Sequence, residues 1–271
     1  MTSDDLHRAA VEAWRRARYG RLRQDAGWLT LAGLEWLRPG VNRVGSDPGA
    51  EAVLPAGPPW AGTVTLTDGG IVADGSFTQA GTPADGLRLE TDLLGEPTML
   101  ELGSLRFCAI QRGGRFALRI WDTDSALRRE FEGIPHWPVD PAWRLSARLE
   151  ATPGRTVRVP DVIGTLDDLG SPGDLLFEAG GTTHRLQALV GGDTGALWLV
   201  FGDATNGAET YDGGRFLYLD APNADGTVEV DFNRAYNPPC VFSPYATCPL
   251  PWPENRLPVR IEAGERGWDR H

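Results

Sequence analysis

Three of the five glycine pairs in this chain narrow what it can fold into. Asp68-Gly69-Gly70, Arg112-Gly113-Gly114 and Ala179-Gly180-Gly181 each separate two runs in which apolar and polar residues alternate. Alternation at a period of two gives an extended strand one face for a core and one for solvent. A tight connection between two such strands needs positive φ, which glycine adopts without a Cβ clash. "GTVTLTDGGIVAD", "LRFCAIQRGGRFALRIWD" and "DLLFEAGGTTHRLQAL" are therefore expected hairpins. "GWLTLAGLEWLRPGVNRVGSD" suggests two strands around a turn at Arg38-Pro39-Gly40. With "ALWLVFGDAT" and "GGRFLYLDAPNADGTVEVDFN" the pattern predicts roughly ten strands.

The first 27 residues read as a helix. Leu6, Ala10, Ala13, Trp14, Ala17 and Leu22 fall near one face, and Thr2, Ser3, Asp4 and Asp5 supply cap and dipole chemistry at its start. The expected fold is mainly β: an N-terminal helix, then antiparallel meanders closing into a barrel-like or sandwich architecture, then a proline-rich C-terminal loop. The expected organisation is a helix over 1–27, a small β unit over 28–90 and a larger barrel-like unit over 91–271.

Charge excludes several functions. The net charge of −11 provides no basic footprint for nucleic acid. Every Lys/Arg position is arginine, so a Schiff-base lysine and a Walker-type phosphate loop are both ruled out. No apolar run approaches a membrane span, and the charged start "MTSDDLHRAAVEAWRRARYG" lacks a secretory h-region. A cytoplasmic location without membrane or nucleic-acid partners is expected, and the oligomeric state is left open. Cys108, Cys240 and Cys248 are an odd set for a disulfide framework. His7, His136, His184 and His271 show no HxxxH spacing. Neither a metal nor a cofactor is expected.

Two resemblances bear on this reading. "LRPGVNRVGSDPGAEAVLP" faintly resembles the opening of forkhead-associated domains. Those domains read phosphothreonine through an arginine after the glycine and a downstream serine and histidine; here Ser46 follows Gly45 and no such pair appears. The resemblance implies topology only, without phosphopeptide binding. "GDATNGAETYDGGRFLYLD" and "VDFNRAYNPPCVFSPYATCPLPWPENRLPVRIEAGER" resemble DUF1684, a family of unknown function common in bacteria. "WLTLAGLEWLRPGVNRVGSD" and "RFALRIWDTDSALRREFEGIPHWPVDPAWRLSAR" extend that resemblance over most of the chain. It implies that the C-terminal block is a family signature and brings no reaction with it.

That block holds the candidate site. "NPPC" cannot continue a strand ladder, because proline lacks an N–H and restricts the residue before it. Pro244, Pro249, Pro251, Pro253 and Pro258 stiffen the loop that follows, and a stiff loop can hold side chains at fixed positions. The candidate ligand-binding residues are Tyr211, Arg215, Asp231, Asn233, Tyr236, Asn237, Cys240 and Cys248. Arg215 would clamp a small polar or anionic ligand. Alternatively, Asp231, Asn233 and Asn237 only cap turns, and Tyr236 only packs its ring. Cys240 and Cys248 are buried apolar groups, a disulfide, or a nucleophile that would need a base.

Upstream, "DTDSALRRE" offers a turn and short helix with N-cap residues. The carboxylates Asp122, Asp140 and Asp231 could be paired for hydrolysis, as in any acidic chain. No GxSxG elbow exists. Three readings follow: a small polar ligand bound beneath the C-terminal loop; a metal-independent hydrolase using Cys240 or an Asp/Glu pair; and a structural or interaction module.

Overall fold

The computed structural model describes residues 2–93 and 95–268; His271 lies outside them. Helix α1 (Ser3–Leu22) opens with a reciprocal cap. The Asp5 amide donates to Thr2 Oγ1 at 3.1 Å, and the Thr2 amide donates to Asp5 Oδ2 at 2.9 Å. Two orphan donors of the first turn are thereby satisfied. The helix stops at Leu22, short of residue 27. Its packing face also differs from the expected one. Leu6 is 55% exposed and Ala10, Ala13 and Ala17 are exposed, whereas His7, Val11, Arg18 and Leu22 are buried. The helix is rotated by about one residue, roughly 100°, because two polar side chains on the buried face have specific partners.

The chain divides into two compact units: residues 20–131 with 242–246, and residues 1–19 with 132–241 and 247–271. The first contains strands β1 (Leu31–Trp36), β2 (Gly40–Gly45), β3 (Ala52–Val53), β4 (Gly62–Thr67), β5 (Gly70–Gly75), β6 (Thr78–Gln79), β7 (Thr82–Pro83), β8 (Leu87–Leu89), β9 (Leu100–Leu102), β10 (Leu105–Arg112) and β11 (Arg115–Asp122), then a short helix, α2 (Ala126–Glu130). One sheet runs β3-β2-β4-β5-β8 and the other β1-β11-β10-β9-β6-β7. The expected β4–β5 and β10–β11 hairpins form. At the second, Gly113 and Gly114 both have positive φ, as a type I′ turn requires.

The Arg38-Pro39-Gly40 turn behaves differently from a hairpin. β1 pairs with β11 and β2 with β4, so this turn carries the chain from one sheet to the other. Asn42, fully buried, supports it: its Oδ1 accepts from the Arg38 amide, and its Nδ2 donates to the Arg38, Gly40 and Val64 carbonyls. The β2–β3 pair is parallel. Val44, Val64 and Ile71 from one sheet and Leu105, Phe107, Leu118 and Ile120 from the other share a single core. Position 90/91 falls between β8 and β9 of this unit. Ser125 occupies the N-cap of α2 without capping it; its Oγ donates instead to the Leu29 carbonyl at 2.7 Å.

The second unit contains β12 (Arg144–Pro160), β13 (Leu166–Ala179), β14 (Thr182–Val190), β15 (Leu197–Phe201), β16 (Arg215–Leu219) and β17 (Thr227–Asp231). They form one antiparallel sheet in the order β16-β15-β14-β13-β12-β17. The two edge strands approach each other, and Tyr236 bridges to Phe216 just beyond the end of β17. The sheet is thus curled around a core of Leu175, Phe177, Leu186, Leu199, Leu217 and Phe232. The fold is mainly β with an N-terminal helix.

Candidate functional site

β17 ends on Asp231, and the chain tightens at once into a 3-10 turn over Phe232–Arg234. Phe232 points into the core, against Phe177 and Phe201. Asp231 Oδ1 accepts from the amide and the Nδ2 of Asn233, at 3.1 and 2.8 Å. Its Oδ2 lies 2.8 Å from His7 Nε2 on α1, and Arg234 Nε is 3.5 Å away. Asn233 pairs with the Asp140 backbone as a peptide group would, accepting from N and donating to O at 2.9 Å each.

Tyr236 and Phe216 exchange two backbone hydrogen bonds at 2.9 Å. The Tyr236 ring stacks on Tyr218 at 6.2 Å, and the Arg18 guanidinium sits 4.4 Å above its centroid. Burial pushes the Tyr236 phenol well above its ordinary value. Asn237 is 1% exposed: its amide donates to Glu265 Oε2 at 2.7 Å, its Nδ2 to the Arg266 carbonyl, and its own carbonyl accepts from Arg18. Among the described residues, Asn237 Oδ1 and His7 Nδ1 are buried without a hydrogen-bond partner. Glu265, fully buried, holds Arg18 through both carboxylate oxygens.

Arg215 is 0% exposed. One terminal nitrogen donates to Asp203 Oδ2 at 2.5 Å and to the Ile261 carbonyl at 2.9 Å; the other donates to the Ala263 carbonyl. Trp137 and Phe201 rings flank it. Burial lowers its pKa and Asp203 opposes that effect. The side chain expected to clamp a ligand therefore clamps the chain's own C-terminal segment to β16.

Tyr211 and the two cysteines form a separate corner. Tyr211 is half-buried, and burial raises its pKa, with the Cys240 and Cys248 thiols adding to the effect. Its ring lies against Gly213, where a Cβ would come within 2.4 Å of it. The Cys240 amide donates to Cys248 Sγ at 3.2 Å. A hydrogen bond with Cys248 holds the Cys240 thiol below its ordinary value. The central histidines have their own partners: His136 Nδ1 bonds the Ile134 carbonyl at 2.6 Å, and His184 Nε2 bonds the Ala179 carbonyl at 3.2 Å. Burial lowers the His136 pKa, and Arg15 lowers it further.

The eight expected residues thus fall into four neighbourhoods: Asp231 with Asn233; Tyr236 with Asn237; Tyr211 with the cysteines; and Arg215 with Asp203. Sequence reasoning missed His7, Arg18, Asp203 and Glu265. Asp203 carried a usable signal, since "GDATN" is an Asx-turn sequence, and its Oδ1 does accept from the Thr205 amide at 2.7 Å. Among the described residues no three His, Cys, Asp or Glu side chains gather as a metal site, and no helix is long and apolar enough to cross a membrane. An open groove of about 530 Å³ in the two-sheet unit is lined by Leu37, Leu66, Arg88, Arg115 and Phe116 and by none of the expected residues.

The family model described as "Protein of unknown function (DUF1684)" matches residues 129–266. The chain belongs to the DUF1684 family. The match covers the latter part of the chain, including the C-terminal signature, and leaves out the opening segment whose likeness suggested a longer span. An uncharacterized protein from gene locus rrnAC0354 of Haloarcula marismortui, solved by solution NMR, is 31% identical over 51% of this chain and 78% of that one, with a TM-score of 0.43. No curated protein matches.

Proposed function

We propose that this DUF1684 chain is a non-catalytic structural or interaction module whose signature loop fastens α1 and the C-terminal segment to the six-stranded sheet. The observation that carries this reading is Arg215. Both terminal nitrogens of its guanidinium are bonded to Asp203 and to backbone carbonyls, so an anionic ligand would have to displace a fully buried carboxylate at 2.5 Å. Removing one partner of such a pair is costly, because the other charge is left desolvated and unpaired. The hydrolase reading finds less support, because His136 and His184 have backbone partners of their own.

A second reading, binding of a small polar ligand beneath the loop, is favoured by Asn237 Oδ1. That acceptor is buried without a partner among the described residues, and such groups ordinarily meet a donor. A thermal-shift screen with fractionated metabolite extracts separates the two readings, because a ligand bound only by the folded state raises the melting temperature. The module reading expects no fraction to raise the wild-type Tm, and a large Tm loss in Arg215→Ala. A fraction that stabilises wild type and Tyr211→Phe, but not Asn237→Ala, would replace it with the ligand reading.

A further inference from the structure

We propose that Cys240 and Cys248 are a peroxide-oxidisable dithiol, closing reversibly to a disulfide where the chain leaves the six-stranded unit and returns to it. The two residues are eight positions apart, and the chain folds back so that the Cys240 amide donates to Cys248 Sγ at 3.2 Å. Adding one N–Cα bond puts that sulfur within about 4.7 Å of the Cys240 Cα. Cross-linked cysteines have Cα atoms about 4.4–6.8 Å apart, and a Cys248 sulfur this close to the Cys240 backbone lies within that span.

Exposure and acidity divide the roles. Cys240 is half-buried, whereas Cys248 is 3% exposed. Hydrogen bonding with Cys248 favours the thiolate of Cys240, the form that reacts. Cys108 is an internal control: it is 1% exposed, and burial pushes its thiol up to about 12.

The intervening chain gives the pair its structural meaning. Residues 242–246 belong to the two-sheet unit, and their flanks belong to the six-stranded unit. Phe242, Ser243 and Ala246 are buried, and Ser243 Oγ donates to the Leu31 carbonyl at 2.9 Å. The cysteines stand at the two ends of this excursion, so a bond between them would tie its stem.

The oxidant is a hydroperoxide. The Cys240 thiolate attacks the peroxide: an S–O bond forms, the O–O bond breaks, and the protonated leaving group departs as alcohol, or as water when hydrogen peroxide is used. Cys240 becomes a sulfenic acid. The Cys248 thiolate then attacks the Cys240 sulfur, the S–S bond forms, and the S–O bond breaks with loss of water. Two thiols and one hydroperoxide thus give one disulfide, one alcohol and one water. A dithiol reductant reverses the change by exchange.

The test treats the full chain with hydrogen peroxide, unfolds it, alkylates it with iodoacetamide and maps the peptides. Cleavage at Arg234 and Arg256 leaves both cysteines in one peptide. The expected result is that peptide lighter by two hydrogens and unalkylated, restored by dithiothreitol, with Cys240 consumed at least about tenfold faster than Cys108. Cys248→Ser should trap a dimedone-reactive sulfenic acid on Cys240. The wild-type map needs no variant and decides alone. Two alkylatable thiols remaining in that peptide, oxidation to a sulfinic acid without a cross-link, or cross-links to Cys108 or between chains would each overturn the proposal.

Discussion

His7 Nε2 and Asp231 Oδ2 lie 2.8 Å apart across 224 positions of sequence, with both side chains nearly sealed from solvent. A carboxylate only accepts, so the imidazole is the donor. The contact fastens the first turns of α1 to the last residue of β17. Arg18, three turns further along the helix, fastens the same element to Glu265.

Breaking that fastening should be expensive. Asp231→Ala removes the partner of His7 and the cap of the Phe232–Arg234 turn together, and a cost of about 3 kcal/mol is expected. Urea unfolding followed by far-UV circular dichroism checks this; a midpoint equal to that of wild type would contradict the assigned contacts.

The register of α1 makes a second prediction. Leu6→Glu, Ala10→Glu and Ala13→Glu all fall on the exposed face and should each change stability by less than about 0.5 kcal/mol. Val11→Ala, at a position with no exposure, should cost about 2 kcal/mol through lost burial and a residual cavity. Thermal melts of the four variants distinguish this face from the one centred on Leu6 and Ala10.

What the sequence made legible follows from the range of the forces involved. The glycine-pair hairpins were readable because a positive φ is a local steric demand, met at Gly113, Gly114, Gly180 and Gly181 without reference to the rest of the chain. The helix face was misread because His7 and Arg18 are buried only by virtue of partners more than two hundred positions away, and hydrophobic periodicity counts both as solvent-facing. β12 runs through Thr152-Pro153-Gly154, a step that disfavours a regular strand. The ladder instead shifts register there and resumes at Arg155. Nothing local shows that the terminal nitrogens of Arg215 meet Asp203 and the Ile261 and Ala263 carbonyls, because those partners lie on other segments of the chain.

Gly264 should not tolerate a side chain. Its φ is +80°, and a Cβ would stand 2.4 Å from the Ala235 carbonyl oxygen and 2.8 Å from that of Phe232. Gly264→Ala combines left-handed strain with a backbone collision and should cost about 2 kcal/mol or more. Hydrogen exchange should report weakened protection at the Asn237 and Glu265 amides first, because the next residue is the one that holds Arg18.

Glu51 offers a pH test. Hydrogen bonds from the Arg43 side chain and then its amide hold the carboxyl at about 2, down from 4.5. A depressed folded value means that the contribution to stability is fully present above 4.5 and is lost as pH falls toward 2. A carboxyl NMR titration should find that low midpoint in wild type and a return to the ordinary range in Arg43→Gln. Arg43 is exposed and Glu51 only half-buried at the surface, so the titration is the sensitive readout and the melting temperature should barely move.

The buried Arg18–Glu265 pair also sets a timetable for biosynthesis. A ribosome releases the chain from the N-terminus, so α1 emerges long before either Asp231 or Glu265 exists to receive it. Strands β1 to β11 are all made before then, so their hairpins can pair while synthesis continues. The six-stranded unit has to keep its first helix waiting until Glu265 has been made. A chain stopped before Asp231 would leave His7 and Arg18 on α1 without their counterparts.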